Sequence, residues 1–157
     1  MGLNEIVGSL DGIKWTKREI PPEIMQRSGF AAVNYQDVCF GQNRWVAVAE
    51  NGPILSSSDG FNWTQGSTVS WLYSVAYGDG QWIAGGRAGI VSSADGVNWT
   101  GRYGEENIFV TRLLFTNNQW FGIGRGNRIL ESPDGIKWSS RSSGFRPSGF
   151  APADGII

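Results

Sequence analysis

The nine residues SSADGVNWT (92–100) recur almost unchanged as SSSDGFNWT at 56–64. Two further copies, GSLDGIKWT at 8–16 and ESPDGIKWS at 131–139, keep the Asp-Gly pair and the tryptophan. A motif S-x-D-G-x-x-W-[ST] that appears four times indicates a repeat architecture, and the repeat has to be recognised before any single residue is interpreted.

A second set of tryptophans sets the length of the repeat. Trp45, Trp82 and Trp120 are 37 and then 38 residues apart, and each begins an apolar run. Each unit is predicted to hold four short strands, A to D. Residues that tolerate positive φ join A to B, and the D-G turn joins C to D. Strand B is apolar at nearly every position, which predicts that it is covered on both faces. Four-stranded sheets at this period predict an all-β fold, the β-propeller.

The repeat predicts one domain over residues 1–157 with about three and a half blades. Residues 4–7 align with strand C, so the first unit is expected to supply strands C and D alone. Closed propellers have about four blades or more, so we expect that this chain does not close a ring by itself. The predicted units are a half blade at 3–19, blades at about 34–66, 72–102 and 110–142, and a C-terminal tail at 143–157.

The motif S-x-D-G-x-x-W resembles the Asp-box, the sialidase-type (BNR-like) repeat of many bacterial, viral and eukaryotic propellers. Two departures, a glycine directly after the aspartate and Asn or Lys before the tryptophan, make it similar to repeats of bacterial surface proteins and phage tail proteins. The resemblance covers nearly the whole chain. It implies that the motif lies on C–D turns at the blade periphery, away from the ligand face.

The residue types of the motif suit a structural role. An aspartate accepts hydrogen bonds from nearby backbone N–H groups, glycine supplies an unusual φ, a serine adds a hydroxyl bond, and a tryptophan ring fills the space between sheets. Four equivalent copies argue against catalysis or metal binding at one of them. The residues predicted to have this role are Ser9, Asp11, Gly12, Trp15, Ser57, Asp59, Gly60, Trp63, Ser93, Asp95, Gly96, Trp99, Ser132, Asp134, Gly135 and Trp138.

Composition excludes several functions. The chain has 13 basic and 14 acidic residues, a balance that argues against nucleic-acid binding. It contains no histidine, the commonest metal ligand and general base, and we expect no cofactor. The single cysteine, Cys39, is interpreted as a buried apolar residue. The N-terminus does not resemble a signal peptide, and no apolar run is long enough to span a membrane, so a soluble chain is expected.

The predicted B–C turns carry Glu50, Arg87 and Arg125 at equivalent places, and Arg128 follows in the last unit. Converging arginines could bind a carboxylate or a phosphate, because the guanidinium fork matches both. The alternative is that they are solvated turn residues or pair with Glu50.

The D–A connections differ in length and content. The first is about ten residues longer than the others, and its segment 20–25 is apolar enough to form an interface. The second holds Trp71 and Tyr73, which could stack on a sugar, although packing beneath the loop is the favoured role. The third places Tyr103 among charged residues.

Two functions remain open. The favoured one is a non-enzymatic binding or assembly module for a glycan, a peptide or a partner subunit, with a phage tail or a cell surface as the setting that the resemblance implies. The alternative is a glycoside hydrolase of sialidase type. The resemblance implies that such an enzyme needs an arginine triad, a Tyr/Glu nucleophile pair and an acidic residue near the first blade, and the sequence places arginines but not the whole set.

The incomplete ring predicts a partner. Two chains could close a ring of about seven or eight blades, within the range known for propellers, or the chain could be part of a longer propeller. Closure would hide strand edges that otherwise aggregate. In the two-chain ring, strand B of the shared blade has no evident source.

Overall fold

The computed structural model describes residues 6–9, 11–18, 20, 22, 24, 33–67, 69, 71–87, 89–103, 109–126 and 128–142. The predicted tail, 143–157, lies outside the described residues. The strands are β1 (Ile6–Gly8), β2 (Thr16–Arg18), β3 (Tyr35–Gly41), β4 (Arg44–Ala49), β5 (Leu55–Ser57), β6 (Thr64–Gln65), β7 (Leu72–Gly78), β8 (Gln81–Gly86), β9 (Gly89–Ser93), β10 (Thr100–Tyr103), β11 (Val110–Thr116), β12 (Gln119–Gly124), β13 (Arg128–Ser132) and β14 (Ser139–Ser142).

These strands form four antiparallel sheets in chain order. The first pairs β1 with β2 and is named the half-blade; the other three have four strands each, β3–β6, β7–β10 and β11–β14, and are named blades 1, 2 and 3. This is the all-β, propeller-type architecture predicted from the repeat. Within a blade the strands are lettered A to D in chain order, and the A strands of neighbouring blades contact each other.

Antiparallel order divides the turns between two ends of the sheets. The B–C turns and the starts of the A strands share one end, here the B–C end, while the A–B and C–D turns share the other. Each A–B turn has two residues with positive φ, as the sequence predicted. They are Gln42 and Asn43, Asp79 and Gly80, and Asn117 and Asn118.

Glycine permits close packing between the blades. A Cβ atom built on Gly41 would overlap the ring of Tyr77 in blade 2, and one built on Gly78 would overlap the ring of Phe115 in blade 3. The two glycines hold the same place at the end of strand A, so each lets the ring of the next blade lie directly on the backbone. A side chain there would force the sheets apart.

Hydrogen bonds also join the three A strands. The Asp37 carboxylate accepts bonds from the Ser74 hydroxyl and the Val75 N–H, both at 3.0 Å. The Ser74 hydroxyl in turn accepts a bond from the Leu113 N–H at 3.1 Å. These contacts place the three blades side by side in chain order, with their A strands next to one another.

The prediction that strand B is covered on both faces is correct for blade 2 and wrong for its neighbours. In β8 the residues from Trp82 to Gly86 are all buried. Trp45 of β4 is 36% exposed and Ile123 of β12 is 53% exposed. Blade 1 has a two-stranded sheet on one side, and no described sheet covers the outer face of blade 3.

The apolar segment 20–25 turns inward where the structure describes it. Ile20 and Ile24 are buried against Ala47, Leu55 and Trp63 of blade 1. The prediction that this segment forms an interface is therefore wrong for these two side chains, because they complete the core of blade 1. None of the described residues form a helix long and apolar enough to cross a membrane.

The four repeated turns, 9–15, 57–63, 93–99 and 132–138, are named the DG turns. In the third, one carboxylate oxygen of Asp95 accepts bonds from the N–H groups of Val97 and Asn98, each at 2.8 Å. The Ser93 hydroxyl donates to the same oxygen and accepts a bond from the Gly96 N–H, both at 2.9 Å. The other three turns repeat this pattern. Their glycines have φ between 70° and 73°.

The DG tryptophans differ in burial. Trp63 and Trp138 are buried, Trp99 is half-buried, and Trp15 is 62% exposed. The prediction that each ring lies buried between sheets is therefore wrong for Trp15. It belongs to the two-stranded half-blade, which has too few strands to enclose a ring of that size.

Replacing Ser93 with alanine is expected to lower the free energy of unfolding by about 1–3 kcal/mol, because the buried Gly96 N–H loses its acceptor. The matched control is Ser9→Ala, which removes the same bonds from an exposed turn where water can replace them. Its expected cost is under about 1 kcal/mol. Chemical denaturation measures both, and equal costs for the two variants would contradict this account.

Acid is expected to weaken the DG turns. The backbone N–H and then the side chain of Asn62 hold the pKa of the Asp59 carboxyl well below its usual range. At Asp95 the backbone N–H groups of Asn98 and Val97 lower the pKa in the same way. A lowered folded pKa gives stability that is complete above the unfolded value, about pH 4, and lost as the pH falls below it.

The double variant Asp59→Asn/Asp95→Asn should therefore lose less stability than the parent chain between neutral pH and about pH 3. Urea midpoints measured across this range check the difference. Parallel profiles for the two proteins would show that these carboxylates are not the source of the acid sensitivity.

Candidate functional site

Aromatic and charged side chains from three blades meet at the B–C end. They come from the B–C turns and from the residues that open the A strands. The group, named the B–C cluster, consists of Glu50, Trp71, Tyr73, Arg87, Phe109 and Arg125.

The backbone positions these side chains in the same way in each blade. The residue that follows strand B donates its N–H to the carbonyl of the residue that precedes strand A, at 2.8–2.9 Å. The pairs are Glu50 with Asn34, Arg87 with Trp71, and Arg125 with Phe109. The repeat thus brings each B–C residue beside the start of its own A strand.

Trp71 has an unusual backbone for a residue of its size. Its φ is 67°, whereas the equivalent Asn34 and Phe109 are not in the left-handed region. Its N–H donates to the Glu50 carbonyl at 2.6 Å and its carbonyl accepts from the Arg87 N–H at 2.8 Å. A Cβ on Gly86 would overlap the Trp71 carbonyl, so glycine is required there. Strained left-handed backbone of this kind is concentrated at binding sites.

Both arginines lie over aromatic rings. The Arg87 Cζ is 5.2 Å from the centre of the Trp71 ring, and the Arg125 Cζ is 4.1 Å from the centre of the Phe109 ring. Phe109 also stacks on Tyr73, with 4.7 Å between ring centres and 21° between planes. A guanidinium held over an aromatic ring can still direct N–H groups to a ligand.

Glu50 is the carboxylate of the cluster. One of its oxygens accepts a bond from the Tyr73 hydroxyl at 3.4 Å, and the other accepts from the Asn34 side-chain amide at 3.2 Å. Burial, followed by the charge of Glu50, raises the pKa of the Tyr73 phenol, while the nearby Arg87 and Arg125 oppose the shift. The phenol is therefore protonated at neutral pH and donates to Glu50.

The structure brings together five of the seven residues proposed from the sequence as ligand contacts. Arg128 instead begins β13 and donates to the Ser140 hydroxyl of β14 at 3.2 Å. Tyr103 ends β10, and its side chain lies outside the part of the chain that the structure describes. Trp71 is 41% exposed, so the prediction that it packs beneath the loop is wrong.

Sequence reasoning missed Phe109 and Asn34. Both precede the A strand of their repeat, at the position that Trp71 holds in blade 2. Alignment of the repeats at this position would have found them.

The described residues contain no group of three or more His, Cys, Asp or Glu side chains that could hold a metal ion. Cys39 is half-buried, and burial raises the pKa of its thiol. What the B–C cluster offers a ligand is hydrogen-bonding groups, aromatic surfaces and the positive charges of its two arginines.

The fold and the cluster define an arc of β-propeller blades with a cationic, aromatic surface at its B–C end. Neither a family model nor a curated protein matches the sequence. Among solved structures, the chain is similar to YCF48 from Cyanidioschyzon merolae, with a TM-score of 0.52 and 16% identity over 87% of this chain and 52% of that one. The chain thus spans about half the length of that protein, and the likeness shows the fold alone.

A second structure, described as YCF48 bound to D1 peptide, has a TM-score of 0.45 and 18% identity over 83% of this chain and 59% of that one. This likeness is too low to bear on function.

Proposed function

We propose that the chain is a non-enzymatic binding and assembly module, and that its B–C cluster recognises a carboxylate or phosphate on a glycan or a peptide. The observation that carries the proposal is the pair of guanidinium groups that lie over the rings of Trp71 and Phe109. Within the described residues, neither guanidinium forms an ion pair. Their N–H edges can therefore serve an anionic ligand.

Other features of the cluster support this proposal. The exposed ring of Trp71 offers an apolar platform beside the Arg87 charge, which suits a ligand with a flat or sugar ring next to its acidic group. The left-handed backbone of Trp71 holds that ring in place before the ligand arrives. We also propose that the DG turns are Asp-boxes, as their repeated hydrogen bonds support.

The test is binding to arrays of acidic glycans, neutral glycans and acidic peptides. We expect binding to acidic members, at least tenfold weaker for Arg87→Ala and for Arg125→Ala, since a charge-assisted bond is worth about 1.5–3 kcal/mol. Arg128→Ala is the matched control, because this arginine contacts strand D outside the cluster. Equal binding of neutral glycans, or equal affinity of all variants, would refute the proposal.

One observation favours a second candidate, a sialidase-type hydrolase. The Tyr73 hydroxyl lies 3.4 Å from a Glu50 oxygen with two arginines close by, which matches part of the constellation that such an enzyme needs. The cluster supplies neither the third arginine nor a second carboxylate, and most glycosidases use two carboxylates. Turnover of a fluorogenic sialoside that is abolished by Tyr73→Phe would replace the binding proposal with this one.

We propose further that two chains associate to close a ring. The outer face of blade 3 exposes Leu114 and Ile123, which a neighbouring sheet would cover. At this face Thr116 stands where blades 1 and 2 have glycine, so the closing interface differs from the internal ones. Light scattering is expected to show a dimer, and a monomer at high concentration would end this part of the proposal. A place in a phage tail or on a cell surface is part of the same proposal.

A further inference from the structure

In blades 2 and 3 the DG turn is covered by strand B of the preceding blade. A Cβ on Gly96 would lie 2.9 Å from Arg44 and 3.0 Å from Val46, and one on Gly135 would lie 2.9 Å from Gln81 and 3.0 Å from Ile83. The Gln81 amide also donates to the Asp134 carbonyl at 2.7 Å. The cover is therefore a long polar side chain followed two residues later by a β-branched one.

No described residue of another blade gives the DG turn of blade 1 this cover. The nearest atoms to a Cβ on Gly60 belong to Trp45 of its own blade, at 3.4 Å. Trp45 is 36% exposed, whereas Trp82 and Trp120 at the same repeat position are fully buried. The three tryptophans make the same tilted contact with a neighbouring ring, with 4.8 Å between ring centres. The blades therefore differ in the cover over the tryptophan and not in its local geometry.

A groove takes the place of the missing strand. It encloses about 330 Å³ and is lined by Trp15, Val38, Trp45 and Phe61 together with β1. Arg18 lies over the Phe61 ring at its rim, 3.7 Å from the ring centre. The groove is thus an apolar slot between the half-blade and blade 1.

The edge of β1 that borders this groove carries no strand among the described residues. β1 pairs with β2 on one side, whereas the equivalent β5 pairs with β6 on one side and with β4 on the other. Exposed strand edges present unpaired N–H and C=O groups that accept an added strand.

The inner part of the space is already filled. Ile20 and Ile24 lie over Ala47 and Leu55, which leaves the Trp45 end open. An added strand would therefore be short, comparable to the three residue pairs that join β4 to β5.

We propose that an extended segment of a partner polypeptide adds to β1 as the missing strand B of the half-blade. The side chains expected in this segment follow from the interfaces between blades 1 and 2 and between blades 2 and 3, because the groove is the equivalent interface between the half-blade and blade 1. A long polar side chain reaches the Asp59 carbonyl, as Gln81 reaches that of Asp134, and a β-branched side chain two residues later packs on Gly60 and Trp45. This surface lies away from the B–C cluster and does not depend on its ligand.

The probe is an acetylated and amidated peptide of residues 43–50, the chain's own strand B, titrated into the isotope-labelled full chain and followed by NMR. We expect shifts at the amides of 6–9 and 60–61 and at the Trp45 indole, with slower hydrogen exchange in β1. Peptides with Val46→Asp or Val46→Pro are expected to bind at least tenfold more weakly. The Arg87→Ala chain should bind the peptide like the parent, which separates this site from the B–C cluster.

Several results would overturn the proposal. Equal effects of the parent and Val46→Asp peptides would show that peptide binding does not depend on a defined strand register. Protection of the β1 amides in the free chain, together with a dimer in light scattering, would assign the groove to a second copy. Shifts at the same amides with oligosaccharides but not with the peptide would assign it to a glycan.

Discussion

Replacing Trp82 with alanine is expected to lower the free energy of unfolding by about 3–5 kcal/mol, the range for large aromatic truncations in a core. The side chain is fully buried and lies in the cluster formed by Val46, Val75 and their neighbours between blades 1 and 2. Its indole N–H has no hydrogen-bond partner among the described residues, so the contribution argued for this side chain is that of packing. Chemical denaturation followed by circular dichroism measures the loss.

Trp45→Ala is the matched control for this prediction. Trp45 occupies the same position in its repeat and packs against Phe40 with the same tilted geometry and 4.8 Å spacing, but it is 36% exposed. Its truncation should cost less than half as much as that of Trp82, about 1–2 kcal/mol. Equal costs would mean that the face of blade 1 is covered in solution, whereas a loss of only about 1–2 kcal/mol for Trp82→Ala would contradict the packing account.

Gly78→Val is expected to destabilise the chain by about 3 kcal/mol or more, at the upper end of the range for overpacked cores. The new Cβ would overlap the Phe115 ring at its base, where the ring cannot swing away without moving the backbone. Blades 2 and 3 would have to separate, and the hydrogen bond between Ser74 and Leu113 would lengthen with them.

Thr116→Val tests the equivalent position at the end of strand A in blade 3, which no described sheet follows. Thr116 ends strand A of blade 3 and is exposed, so a change of shape there is expected to alter stability by less than about 0.5 kcal/mol. Denaturation midpoints compare the two variants. A mild effect of Gly78→Val would contradict the proposed role of glycine in blade packing, and a severe effect of Thr116→Val would mean that another sheet covers this face in solution.

The local structure of this protein could be predicted from its sequence. In a DG turn, Asp95 binds the N–H groups two and three residues ahead, and Gly96 supplies the positive φ, so the interaction is complete within a few residues. The A–B turns and the strand count follow in the same way from short patterns. Glu50, Arg87 and Arg125 were placed at equivalent positions because the repeat itself sets their register.

Contacts between blades could not be predicted in this way. Tyr73 meets Glu50 from one neighbouring blade and Phe109 from the other, residues that lie 23 and 36 positions away along the chain. The left-handed backbone of Trp71 depends on bonds to two B–C turns at once. No short stretch of sequence contains the information that would predict either the Tyr73 contacts or the Trp71 backbone.

The sequence by itself determined the repeat, the strands and the hydrogen-bonded turns, because each depends on residues that are neighbours along the chain. The tertiary structure alone decided which of the equivalent tryptophans are buried and which faces stay open. Trp45 and Trp82 have the same local surroundings and differ in exposure, because burial depends on whether a further sheet covers the ring.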